Sequence, residues 1–153
     1  MSFVLELSSK IGILERAITN YTTFNIKVVA STVLRQKIMI IDDEIDITNL
    51  FKEILINAGY QVEDFNDPLK ALAECKTNHE KYVLIISDVR MPKMSGIELV
   101  KQISEIDNDI KVILMTAFDV TGEELKEIKI EKFLNKPIYI KKLVDIVRMS
   151  LSE

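Results

Sequence analysis

From Lys37 onward, short apolar runs alternate with amphipathic stretches, a rhythm that builds a parallel sheet rather than a helical bundle or a sandwich. The runs are Lys37–Ile41, Tyr60–Phe65, Tyr82–Ser87, Ile110–Met115 and a short Lys132–Leu134. Three of them are almost unbroken in β-branched and large apolar residues, as strands covered on both faces must be. The second, YQVEDF, is more polar and suits an edge position. Between the runs, Ile47, Leu50, Phe51, Ile54, Leu55 and Ala58 draw one buried stripe along Ile45–Ala58, which Gly59 ends. Asp67 caps and Pro68 opens a helix over Asp67–Lys76, Ser95 starts another that runs to about Ile106, and Ile138–Leu151 makes the last. Asp119–Lys129 also reads as helix, although Gly122 lies inside it and Ile128 and Ile130 alternate like strand.

The first 36 residues stand outside this rhythm. Val4, Leu7, Ile11, Leu14, Ile18 and Tyr21 are spaced as the seam of an amphipathic helix, which predicts a packing or dimer helix, with a floppy extension as the plainer reading. Asn25–Gln36 would connect it to the rest, and Ile26, Val28 and Val29 could equally form a strand or continue the helix. The expected organisation is an N-terminal extension over residues 1–36, able to make a homodimer, and one folded domain over 37–153.

Composition narrows the function. Apolar residues at 48% and charged residues at 29% supply a core and exclude a disordered chain. A net charge of -4, from 20 basic and 24 acidic residues, argues against a nucleic-acid binder. Cys75 is alone and no secretory leader opens the chain, so a cytoplasmic location is expected; charges interrupt every apolar stretch too early for membrane insertion.

In a parallel sheet the C-terminal strand ends meet at one edge, where open α/β folds bind their ligands. The first strand is followed by Asp42-Asp43-Glu44, the third by Asp88, the fourth by Thr116 and the fifth by Lys136-Pro137. Crowded carboxylates repel unless a cation sits among them. Oxygen donors without His or Cys select a hard ion, and few carboxylates with room for water suit Mg²⁺. A metal, an ammonium and a hydroxyl around one carboxylate are what an incoming phosphoryl group requires, so the residues read as phosphoryl transfer onto Asp88.

From about Lys37 to its end, roughly three quarters of its length, the chain resembles a two-component response-regulator receiver domain. The resemblance rests on Asp42-Asp43, Asp88, Met91-Pro92, Gly96, Thr116-Ala117 and Lys136-Pro137 in that order, with separations of 45, 28 and 20 residues from Asp43 to Asp88, Thr116 and Lys136 in turn. It implies a flavodoxin-like, doubly wound (βα)5 fold with a five-stranded parallel sheet in the order 2-1-3-4-5. Asp88 would accept a phosphoryl group from a histidine kinase or a histidine phosphotransfer protein. The chain would then be no enzyme in the ordinary sense, but a switch that assists its own phosphotransfer and autodephosphorylation.

The same resemblance implies that Asp43, Asp88 and the backbone carbonyl of Arg90 bind Mg²⁺, with Asp42 acting through water. Lys136 would pair with Asp88 and then with the phosphoryl oxygens; Thr116 would swing its hydroxyl onto them, and Phe133 would turn inward. Where the family often has tyrosine, Phe133 has no hydroxyl to hold it outside, so an inward rotamer is expected before phosphorylation. Arg90 and Phe118 would flank the path of attacking water, and a bulky Phe118 implies a long-lived phosphoprotein. Only Ser150–Glu153 remain at the end of the chain, so a stand-alone receiver is expected, either a phosphorelay intermediate or a diffusible switch acting on another protein.

Each residue alone has a plainer reading. Asp42 and Asp43 could cap a helix, Thr116 end a strand and Lys136 be a solvated charge. His79 reads as surface, Cys75 as core, Met91 and Met94 as packing, and Lys126, Lys129, Lys141 and Lys142 as solvated charges on what would be the signalling face. Three other functions compete. A phosphatase of the haloacid dehalogenase class has its nucleophile after the first strand and a second Asp two residues later, where Glu44 stands. An FMN carrier needs a Ser/Thr-rich loop where the acidic run lies. A receiver-fold docking module indifferent to phosphorylation is the third.

Overall fold

The apolar run that ends at Asp88 becomes the central strand of a parallel sheet in the computed structural model, which describes Thr19 and residues 35–117 and 128–152. The chain divides into units Met1–Leu34 and Arg35–Glu153, and the second is built as follows. Strands β1 (Lys37–Ile41), β2 (Gln61–Phe65), β3 (Tyr82–Asp88), β4 (Lys111–Thr116) and β5 (Lys132–Asn135) alternate with helices α1 (Ile45–Asn57), α2 (Pro68–Asn78), α3 (Gly96–Ile106) and α4 (Ile140–Ser152). Every neighbouring pair of strands is parallel and the order is 2-1-3-4-5, with the polar β2 at one edge, as expected.

The period of two along β1 decides which helix covers which face. Ile38 and Ile40 point to the side where Phe51 and Leu55 of α1 and Leu143, Ile146 and Val147 of α4 pack. Met39 and Ile41 point to the other, against Ala71, Leu72 and Cys75 of α2 and Leu99 and Ile103 of α3. Cys75 is fully buried, and burial pushes its thiol up to about 12, so it behaves as a small core residue. Met91 and Met94 pack against the second cluster, also as read. His79 stands in a short 3-10 turn and meets the Asp107 carboxylate at 2.9 Å, which Arg35 also holds at 2.6 Å.

The element ends depart from expectation by a few residues. Strand β2 starts at Gln61 because the N–H of Tyr60 closes the end of α1 on Leu55 O, while that of Gly59 reaches Ile56 O. Helix α2 continues past Lys76 to Asn78, and α4 starts at Ile140 rather than Ile138. Strands β3 and β4 include Asp88 and Thr116 as their last residues instead of stopping before them. Of the helix expected over 119–129, Ile128 and Lys129 are described and are not helical. There Ile128 and Ile130 pack against the cluster of Val100 and Val112, and Glu131 N–H donates to Val112 O, which draws the chain toward the sheet. The rest of that span, Phe118, Lys126 and the expected N-terminal seam lie outside the described residues. Among the described residues no helix is long and apolar enough to cross a membrane.

Candidate functional site

The sheet brings the chemically pointed residues to one rim because all strands run the same way. Asp42 follows β1 directly, Asp88 and Thr116 close β3 and β4, and Lys136 follows β5. Asp88, Thr116 and Lys136, together with Asp43, Glu44, Arg90 and Ala117, enclose a cleft of about 230 Å³, which Asp42 does not line. It lies beneath, fully buried, and acts through Lys136.

Lys136 Nζ stands 2.8 Å from Asp42 Oδ2 and 2.8 Å from Asp88 Oδ1, with Glu44 Oε1 at 3.6 Å. The second oxygen of Asp88 accepts from Arg90 N at 2.7 Å, and the second oxygen of Asp42 accepts from Glu44 N at 3.0 Å. The plain capping reading of the acid pair therefore does not hold for Asp42: the N-cap position of α1 falls on Glu44, where no side chain caps the helix. Lys136 itself is placed by its N–H, which donates to Thr116 O at 2.7 Å, and it precedes a cis peptide to Pro137.

Two buried carboxylates share one ammonium. Burial works against the charge of Lys136, but its hydrogen bonds to Asp42 and Asp88 outweigh this and hold it above the ordinary lysine value. Burial also raises Asp88; the bonds from Lys136 and Arg90 pull it down and the Asp42 charge pushes it up, leaving its carboxyl above the usual range. The lining of the cleft carries three carboxylates, Asp43, Glu44 and Asp88, against two cationic side chains, Lys136 and Arg90.

The loop after Asp88 turns back through Gly96, whose N–H donates to Val89 O at 2.9 Å. A Cβ there would sit 2.0 Å from the Asp88 carbonyl oxygen, so only glycine lets the start of α3 approach so closely. Ser95 caps α3 through Glu98 N and Glu98 answers to Ser95 N, which stiffens that return. Thr116 is buried at the cleft wall. Phe133 is half-buried on β5 and packs against the cluster of Val89, Val100, Val112 and Leu114.

Among the described residues no group of three or more His, Cys, Asp or Glu side chains is arranged to hold a metal. The expected donor set asks for less: two carboxylates, Asp43 and Asp88, and the Arg90 carbonyl, with water filling the remaining positions. Oxygen donors of that kind, around a cleft with unmet negative charge, fit a hard ion that keeps part of its hydration. Sequence reasoning missed Asn66, whose side chain touches the backbone of Asp42, and the pair of Lys93 with Asp67. Asn66-Asp67-Pro68 carries only a turn-and-cap signal, and nothing in its spacing points across to the acid pair.

A parallel five-stranded sheet in this order has the CheY-like α/β fold. Residues 38–148 match the response regulator receiver domain, and the chain belongs to that family. It is 33% identical over 120 residues to sporulation initiation phosphotransferase F of Bacillus subtilis strain 168, covering 77% of this chain and 95% of that protein. Against ARR21 of Arabidopsis thaliana it is 32% identical over 122 residues, covering 80% of this chain but only 20% of that protein's length. Among solved structures, the chemotaxis protein CheY4 of Vibrio cholerae superimposes with a TM-score of 0.68 at 29% identity, over 76% of this chain and 98% of that one.

Proposed function

We propose that the chain is a phosphorylation-dependent switch of a two-component system, with Asp88 as phosphoacceptor. The observation that carries this is Lys136 Nζ held 2.8 Å from both Asp42 and Asp88 at the wall of the cleft. A carboxylate oxygen of Asp88 attacks the phosphorus of a partner's phosphohistidine. The P–N bond breaks, the imidazole nitrogen keeps its electron pair, and an acyl phosphate forms on Asp88. Asp43, Asp88 and the Arg90 carbonyl would hold Mg²⁺, and Asp42 would reach it through water. Bound there, Mg²⁺ supplies the positive charge that the equatorial phosphoryl oxygens need. Lys136 meets the same charge from the other side, and the Thr116 hydroxyl donates to it.

Thr116 moving onto the phosphoryl group leaves space for Phe133, and that repacking carries the signal toward a downstream protein. Arg90 and Phe118 would set the lifetime of the acyl phosphate. The phosphodonor is a histidine kinase or phosphotransfer protein in the cytoplasm; residues 37–153 are the receiver domain, and the extension over residues 1–36 would make the homodimer. Support for phosphotransfer comes from the family and from the phosphotransferase relative, which this chain covers almost end to end. Incubation with acetyl phosphate and Mg²⁺ followed by intact-mass analysis should add one phosphoryl group to the wild type and none to Asp88→Asn. A wild type that gains nothing sinks the reading in favour of a docking module indifferent to phosphorylation.

A further inference from the structure

Strands β1 and β2 run in register with Ile41 beside Phe65, and one more ladder bond joins Asp42 N to Phe65 O at 3.2 Å. Beyond it the chains part, Asp42 toward α1 and Asn66 toward α2. The carbonyl of Asp42, in a residue with no exposed surface, has there lost its place in the ladder. Asn66 Nδ2 supplies the donor instead, at 2.9 Å. Its second proton goes to Thr48 Oγ1 at 2.8 Å, and that buried hydroxyl donates to Ile45 O at 2.9 Å. One amide therefore closes the whole turn from the end of β1 to the first turn of α1.

The consequence falls on Asp43. The Asp42 carbonyl lies in the same rigid peptide plane as the nitrogen of Asp43, so holding that oxygen holds the plane from which the Asp43 side chain projects into the cleft. We propose that Asn66 is a positioning residue for the cation side of the site, orienting Asp43 through the Asp42 carbonyl. This rests on the reading of Asp43 and Asp88 as Mg²⁺ ligands. Asn66 is itself anchored: the adjoining Asp67 caps α2 through Leu69 N and pairs with Lys93 in the loop that follows Asp88, so one turn braces both walls of the cleft.

Isothermal titration of Mg²⁺ into wild type, Asn66→Ala and Asn66→Leu tests it, with thermal melts run alongside. Leucine keeps the branched shape and donates nothing. Both variants should bind Mg²⁺ about tenfold more weakly, the low end for loss of a group that orients a metal ligand. They should also accept phosphoryl groups from acetyl phosphate more slowly at low Mg²⁺ and recover when Mg²⁺ is raised. Variants that melt earlier yet bind Mg²⁺ within twofold of wild type at a temperature where all are folded would overturn the positioning role alone. A wild type that binds no Mg²⁺ would overturn the site reading and this inference with it.

Discussion

At the residue scale, the character of the site comes from one cation serving two buried carboxylates. Lys136 stays charged well above neutral pH, since Asp42 and Asp88 more than offset the penalty of its burial. Asp88 bears the deficit, and burial holds its acid form above the ordinary carboxylate range. Between the ordinary value and the raised one, the folded chain binds more protons at Asp88 than the unfolded chain does. Ionising Asp88 therefore costs stability as pH rises through that window. Only the carboxylate attacks phosphorus, so phosphorylation by acetyl phosphate should begin to fall, on acidification, at a higher pH than an ordinary aspartate would give. A divalent cation favours the ionised form and should move the midpoint down. Rates measured against pH at low and at high Mg²⁺ check this, and a midpoint indifferent to Mg²⁺ would refute it.

At the scale of the element, two glycines serve different ends and separate stability from function. Gly59 follows α1 with a φ of +95° and nothing within 4 Å of where a Cβ would stand. There it completes a paired C-terminal motif with Tyr60, so Gly59→Ala should cost backbone strain alone, about 1 kcal/mol by denaturant titration, and leave phosphorylation unchanged. Gly96 has the opposite profile. A methyl group there meets the Asp88 carbonyl oxygen at 2.0 Å, so Gly96→Ala must shift either the start of α3 or the end of β3. Its phosphorylation rate should fall at least tenfold, the scale on which small misplacements of reacting groups act. Equal rates for the two variants would mean that this close approach has no part in holding Asp88.

At the scale of the molecule, the doubly wound sheet is a rigid platform whose two faces are closed by α1 with α4 and by α2 with α3. Its receiver unit begins at Arg35, whose guanidinium holds the nearly buried Asp107 carboxylate together with His79. A shortened chain that starts at residue 35 keeps that pair and removes the amphipathic seam. Size-exclusion chromatography should show the full chain eluting as a dimer and the shortened chain as a monomer. Identical apparent oligomeric states would remove the seam as the dimerising element.

Much was legible before any coordinates, for a physical reason. Unbroken apolar runs such as YVLIIS can be buried only as central strands, and a parallel sheet then has one rim at which Asp42, Asp43, Asp88, Thr116 and Lys136 must gather. Apolar periodicity is a local property and survives in a linear string. What the string does not carry is contact between residues distant along it. That Lys136 divides itself between Asp42 and Asp88, that Gly96 lies against the Asp88 carbonyl, and that Asn66 holds the turn bearing Asp43 all depend on where strands end and loops part. Those endpoints are decided by three-dimensional packing and by which backbone groups the sheet leaves unpaired, quantities that exist only once the chain has folded.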